Sequence, residues 1–154
     1  MIALNLPDFT YKLREIDGKL YIFDILRRKY VFLTPEEWVR QHFVHFLIQQ
    51  HQYPKALMKN EGGLTYNRLS KRTDIVIYDR IGNPFMIIEC KGANIPISQS
   101  TFDQAAQYNH TLKAPFLAVA NGLEYFCAFI DHDRKQFVFL PDIPPFEEGA
   151  DEVG

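Results

Sequence analysis

Thr73-Asp74-Ile75-Val76-Ile77-Tyr78-Asp79, then a turn at Gly82-Asn83-Pro84, then Phe85-Met86-Ile87-Ile88-Glu89-Cys90-Lys91 decide the fold. Both runs are rich in β-branched and aromatic residues and are bounded by turn formers, so they read as two strands. Side chains alternate along a strand, which puts Glu89 and Lys91 on one face and Ile88 and Cys90 on the other. Opposite charges therefore flank one small space. If Asp74, at the head of the preceding strand, reaches the same space, two carboxylates lie beside an ammonium. That set suits a hard divalent cation and an activated water, the requirements of phosphodiester hydrolysis.

Working outward on the N-terminal side, Ile16-Asp17-Gly18-Lys19 carries an Asp-Gly hairpin signal, with strand-forming residues from Leu20 to Leu26 and from Tyr30 to Leu33. Thr34-Pro35-Glu36-Glu37 opens a helix, with Thr34 as N-cap, Pro35 at the first helical position and Glu37 placed for a capping box. Val39, Phe43, Phe46 and Leu47 continue it at helical spacing to about His51. A short strand is expected around Leu64 to Tyr66. On the C-terminal side, Ser100-Thr101 opens a second helix to about Leu112, Pro115 to Ala120 reads as a strand, and residues 124–130 and 136–140 as a closing hairpin. The order helix, three strands, helix, strand predicts an α/β fold in which a mixed central sheet is flanked by helices, with an N-terminal β-hairpin addition.

At 154 residues the chain has the size of one domain. We expect that domain over residues 1–145, with an acidic, disordered tail over 146–154. Four acids, Glu147, Glu148, Asp151 and Glu152, lie in that tail, so the net charge of −2 hides a remainder in which 17 basic residues face 15 acidic ones. Arg68, Lys71 and Arg72, just before Asp74, are placed to hold a phosphate backbone, although a solvated turn has the same composition. No segment approaches a membrane span and no signal sequence is evident, so a cytoplasmic location and two buried free thiols, Cys90 and Cys127, are expected.

Several motifs point elsewhere with less force. His42 and His45 lack a third ligand at suitable spacing, which speaks against zinc. Asp131-His132-Asp133 falls in a hairpin turn, where Asp serves the local backbone. A Gly-rich phosphate loop is missing, so nothing indicates ATP binding.

The element order, with Asp on the second strand and Glu-x-Lys on the third, resembles the PD-(D/E)XK nuclease superfamily. Thr34-Pro35-Glu36-Glu37-Trp38-Val39-Arg40-Gln41, Arg72-Thr73-Asp74-Ile75-Val76, Glu89-Cys90-Lys91 and Thr101-Phe102-Asp103-Gln104-Ala105 are similar to the N-terminal nuclease domain of type I restriction enzyme R subunits, in its small bacterial form. The resemblance covers residues 15–145 and implies a restriction-endonuclease-like core. It further implies Asp74 and Glu89 as metal ligands, the Cys90 carbonyl as a third, and Lys91 as the residue that positions the attacking water or stabilises charge on phosphate. The family often carries a Glu on the first helix; Glu37 is the first choice and Glu36 the second, although acids in a first turn also answer the helix dipole. Gln104 and Tyr108 match a Gln-x-x-x-Tyr motif of the RecB-like branch and share a helix face; the structural alternative has Thr101 capping with Gln104 and Tyr108 half-buried. Asn121, at the end of the fourth strand, is placed to approach the same cleft.

The expected activity is thus a Mg²⁺-dependent (or Mn²⁺-dependent) deoxyribonuclease linked to restriction or DNA processing. Its partners would be DNA and motor or specificity subunits, with a homodimer possible because cutting two strands favours two sites. A non-catalytic nucleic-acid-binding or assembly module and an unrelated small-molecule-binding domain are the alternatives.

Overall fold

In the computed structural model, which describes residues 1–61 and 74–146, the two quoted strands are antiparallel neighbours inside a six-stranded sheet. The N-terminal addition has three strands, β1 (Leu13–Ile16), β2 (Lys19–Asp24) and β3 (Lys29–Phe32), paired antiparallel in sequence order. Asp17 and Gly18 both take positive φ at the first turn, the conformation that an Asp-Gly hairpin needs. Helix α1 follows at Pro35–His51, then β4 (Met58–Asn60), β5 (Ile75–Tyr78), β6 (Pro84–Cys90), α2 (Gln99–Leu112), β7 (Phe116–Ala120), β8 (Tyr125–Asp131) and β9 (Gln136–Leu140). The large sheet runs in the order β4-β5-β6-β7-β8-β9, with β6 and β7 parallel and the other pairs antiparallel. α2 makes the crossover that a parallel pair requires.

Alternation splits the core into two layers. Ile75, Ile77, Met86, Ile88, Cys90 and Ala118 pack with Val39, Phe43 and Leu47 of α1. Val76, Ile87, Leu117 and Val119 pack with Phe102 and Ala105 of α2. Both cysteines are buried and free. Phe146, which the sequence reading assigns to the tail, packs against Tyr53 and Phe85. Among the described residues no helix is long and apolar enough to cross a membrane.

Some expectations needed adjustment. β4 was not foreseen, because Met58-Lys59-Asn60 has no strand signature; it is a strand because Met58 pairs with Ile77 and buries its side chain. The strand expected around Leu64 to Tyr66, the Arg68, Lys71 and Arg72 cluster and the acidic run from Glu147 lie outside the described residues. Thr34 does cap α1, its Oγ1 accepting from the Glu37 N–H at 3.0 Å. The Glu37 carboxylate, however, binds Arg27, Arg40 and Gln41 instead of closing a capping box. α2 starts before Ser100: Ser98 is the N-cap, and Ser98 with Thr101 forms the capping box, so Thr101 does not pair with Gln104 as a cap.

Candidate metal and nucleic-acid site

Three element ends converge at one end of the central strands: the start of β5, the carboxyl end of β6 and the first turn of α1. The carboxyl end of a parallel pair is where α/β sheets place ligands, because the crossover leaves a crevice there. The Asp74 N–H donates to the Ile88 carbonyl, and the Cys90 N–H donates to Asp74 Oδ2 at 2.6 Å. Asp74 is thereby fixed against the last turn of β6, one residue from both Glu89 and Lys91. Gly92 keeps the following loop close to α1: a Cβ there would lie 2.8 Å from Asn94 Oδ1 and 3.1 Å from Pro35 Cβ.

Glu89 lies on the Ile87 side of β6 and is largely buried. One of its oxygens, Oε1, sits 3.6 Å from Lys91 Nζ. The other, Oε2, is buried with no hydrogen-bond partner. Burial first, and the Asp74 carboxylate second, push the Glu89 carboxyl up to about 8, against the opposing pull of Lys91. Glu36, on the exposed side of α1, is raised as well, by burial and then by the nearby Asp74 carboxylate. Asp74, Glu89 and Glu36 therefore share one electrostatic environment.

Arg40 was not singled out from the sequence, yet it organises this corner. Its Nη2 donates to Asp74 Oδ1 at 2.6 Å and to Glu36 Oε1 at 2.8 Å, and its Nη1 donates to Glu37 Oε1 at 2.6 Å. Burial opposes the charge on Arg40, but Asp74 and Glu37 outweigh that and hold the guanidinium protonated. Arg27 extends the array, bonding Asp24 Oδ2 at 2.7 Å and Glu37 Oε1 at 3.2 Å. The chain of pairs Asp24, Arg27, Glu37, Arg40, Asp74 ties the small sheet to α1 and to β5. Arg40 stands three residues after Glu37 and four after Glu36, and that helical spacing was the signal available for it.

The two helix glutamates thus part ways. Glu36 faces Asp74 and Glu89; Glu37 is committed to Arg27, Arg40 and Gln41. Gln104 is exposed and Tyr108 half-buried on α2, and neither side chain hydrogen bonds to the acids among the described residues. Asn121 is buried, with its Nδ2 donating to the Ile95 carbonyl at 2.9 Å and its Oδ1 accepting from the Leu123 and Glu124 N–H groups. It secures the loop after Lys91 against the β7–β8 turn. His42 is a packing histidine, its ring against Phe9 and Trp38.

Among the described residues, no three His, Cys, Asp or Glu side chains already close around a common metal position. Arg40 bridges Glu36 and Asp74 instead. In kind the donors fit a hard cation, since three carboxylates are gathered and one presents a buried oxygen without a partner. An open depression of about 380 Å³, lined by Ala93, Asn94, Pro96, Asn121, Leu123 and Glu124, lies beside the loop that follows Lys91.

No curated protein matches this chain. A solved structure from Vibrio vulnificus YJ016, a fragment described as an HsdR subunit of a type I restriction enzyme, is 28% identical, with a TM-score of 0.39, over 51% of this chain and 15% of that one. The family model for the type I restriction enzyme R protein N terminus matches residues 35–144, from the first turn of α1 past the end of β9. On that match, the chain belongs to the family of type I restriction enzyme R protein N-terminal regions.

Proposed function

We propose that this chain is a divalent-metal-dependent DNA nuclease of the PD-(D/E)XK type, working in restriction. The observation that carries the reading is the buried, partnerless Glu89 Oε2, set among Asp74, Glu36 and Lys91. A buried carboxylate oxygen without a partner is costly, and a bound cation removes that cost. Asp74, Glu89 and Glu36 would hold Mg²⁺ or Mn²⁺, with the Cys90 carbonyl as a further donor. When bound, the metal supplies Lewis acidity and an acidified water.

The chain's own residues supply the rest. Lys91, held near Glu89 at 3.6 Å, offers a cation to the phosphate oxygens as charge develops on them. Arg40 keeps Asp74 and Glu36 oriented. Glu37 supports Arg40 from the far side and stays out of the reaction. Arg68, Lys71 and Arg72 would meet the DNA backbone, while Gln104 and Tyr108 on α2 would orient Lys91 or a phosphate. Asn121 contributes by fixing the loop beside the cleft. DNA and the other subunits of a restriction complex are the partners this reading requires.

Arg40 favours a second reading, in which the site is assembled but idle until a partner engages, because its guanidinium already neutralises two of the acids. Calorimetric titration of Mn²⁺ into wild type, Asp74→Ala and Glu89→Gln, together with plasmid nicking by wild type and Lys91→Ala, separates the readings. The nuclease reading expects metal binding lost in both acid variants and nicking lost in Lys91→Ala. Metal binding without nicking selects the idle module. No metal binding by wild type, with or without DNA, overturns both.

A further inference from the structure

The six-stranded sheet ends differently at its two edges. β4, three residues long, carries exposed Lys59, and short charged edges resist pairing. β9 reads Gln-Phe-Val-Phe-Leu without a charge and, among the described residues, has β8 as its one neighbour. Phe137, Val138 and Phe139 are 41%, 61% and 49% exposed, and Phe126 and Phe129 of β8 are 40% exposed each. Apolar side chains thus stand partly open on both faces of an edge that pairs with no further described strand, although Phe137 and Phe139 also touch Phe102 of α2, with ring centroids 5.0 Å apart; folds ordinarily protect an apolar edge of this kind.

The direction of the free backbone groups follows from the register. The Ile130 N–H donates to the Pro115 carbonyl at 2.8 Å, so even-numbered residues of β8 turn their backbone toward β7 and odd-numbered ones toward β9. Phe129 and Asp131 oppose Val138 and Gln136. Phe137 and Phe139 therefore point their N–H and C=O groups away from the sheet.

We propose that β9 pairs antiparallel with β9 of a second copy of this chain, about a two-fold axis at Val138. Phe137 of each copy then exchanges both backbone hydrogen bonds with Phe139 of the other. Charge complementarity selects this register: it sets Arg134 of one copy opposite Asp142 of the other, at both ends of the seam. Arg134 is available for this, since its side chain is 79% exposed and its ion pair with Asp131, among the described residues, is long at 3.8 Å. Asp142 is already oriented by the Tyr125 hydroxyl at 2.6 Å. A register centred on Phe137 would set Arg134 against Leu140 and lose both pairs. Two-fold pairing uses up both β9 edges, so the assembly closes as a dimer with one continuous sheet instead of growing into a fibre. This inference is independent of the nuclease reading.

Sedimentation equilibrium of the full chain, with cysteine cross-linking, tests it. In the proposed register the two Val138 residues form a non-hydrogen-bonded pair, whose Cα atoms lie about 4.5 Å apart and within disulfide reach. The two Phe137 residues are staggered along the seam, out of reach. The expected results are a concentration-dependent mass of two chains, cross-linking by Val138→Cys but not by Phe137→Cys, and dimerisation weakened at least about tenfold by Val138→Lys, which sets like charges face to face. Phe139→Pro removes an outward N–H without touching the β8 ladder and is expected to do the same, with circular dichroism confirming the fold of each variant. A monomer at every concentration, a dimer indifferent to both substitutions, or cross-linking by Phe137→Cys in place of Val138→Cys overturns the proposal. A monomer that binds an apolar dye through this edge would assign it to a different partner and overturns it equally.

Discussion

The two helices flank the same sheet and carry similar side chains, yet they use them in opposite ways. α1 buries Glu37, Arg40, Gln41 and His42 along with its apolar residues, and α2 buries Phe102, Ala105 and Asn109 while Gln99, Asp103, Gln104 and Gln107 stay in solvent. A buried polar group costs free energy unless its partners are supplied, so each buried polar residue of α1 is tied to a specific neighbour. On α2 most polar side chains lie at or near the surface, apart from Asn109, and a pair such as Gln99 with Asp103, at 2.9 Å, is open to water. Burial of polarity therefore marks the helix whose side chains are held in place near the acids, and it locates the organised half of the site on α1.

Arg40→Met should break this contrast most severely. It takes the buried guanidinium away from Asp74, which keeps the Cys90 N–H, and from Glu37, which keeps Arg27 and Gln41, and removing one partner of a buried ion pair costs about 3–5 kcal/mol. Urea unfolding should show the full loss, and Arg40→Lys should recover only part of it, because an ammonium does not present the planar fork that reaches three carboxylates. A loss below the range expected for exposed pairs would mean that α1 is no more constrained than α2. The effect expected from the buried polar residue of α2 is smaller. Asn109 accepts from the Ala114 N–H at 2.7 Å and donates to the Ala114 carbonyl at 2.8 Å; the carbonyl also meets His132 Nε2 at 2.8 Å, so Asn109→Ala orphans the buried Ala114 N–H and should cost about 2 kcal/mol in the same assay.

Glu89 sharpens the comparison through pH. Its carboxyl is raised in the folded protein to about 8 from an ordinary value of 4.5, so between those limits the native state holds a proton that the unfolded state has released. Stability of the metal-free protein should therefore fall as pH rises from 4.5 towards 8 and level off above that. Glu89→Gln should flatten that decline, measured in the presence of a chelator. Adding Mg²⁺ should stabilise wild type most at the alkaline end, where the carboxylate is ionised and able to bind it. A wild-type profile that already matches Glu89→Gln would show that this carboxyl titrates normally.

The fold was legible wherever local patterns agreed with tertiary pairing. The continuous β-branched and aromatic runs from Ile75 to Tyr78 and from Phe85 to Cys90, the Thr34-Pro35 helix start and the Asp17-Gly18 turn each specify their own conformation, and the structure contains all of them. β4 was illegible because its three residues become a strand only by pairing with β5. In the site, period-two alternation announced Glu89 and Lys91. Which of Glu36 and Glu37 faces Asp74 depends on how α1 is rolled against the sheet, and one step of 100° around the helix separates them. The sequence also gives no sign that Arg40 reaches Asp74, because that contact joins positions 34 residues apart.

Gln104 and Tyr108 offer the finest distinction, since α2 packs whether or not they take part in chemistry. Gln104 is exposed and Tyr108 half-buried without a hydrogen bond among the described residues, so Gln104→Ala and Tyr108→Phe should each change stability by no more than about 0.5 kcal/mol. A stability-neutral substitution isolates function cleanly. If these side chains orient Lys91 or a phosphate during cleavage, nicking should slow while the melting temperature and Mn²⁺ affinity stay at their wild-type values, a split that loss of packing would not produce. Equal nicking by both variants would confine the working site to β5, β6 and α1, and the two helices would then differ in chemistry as sharply as they differ in burial.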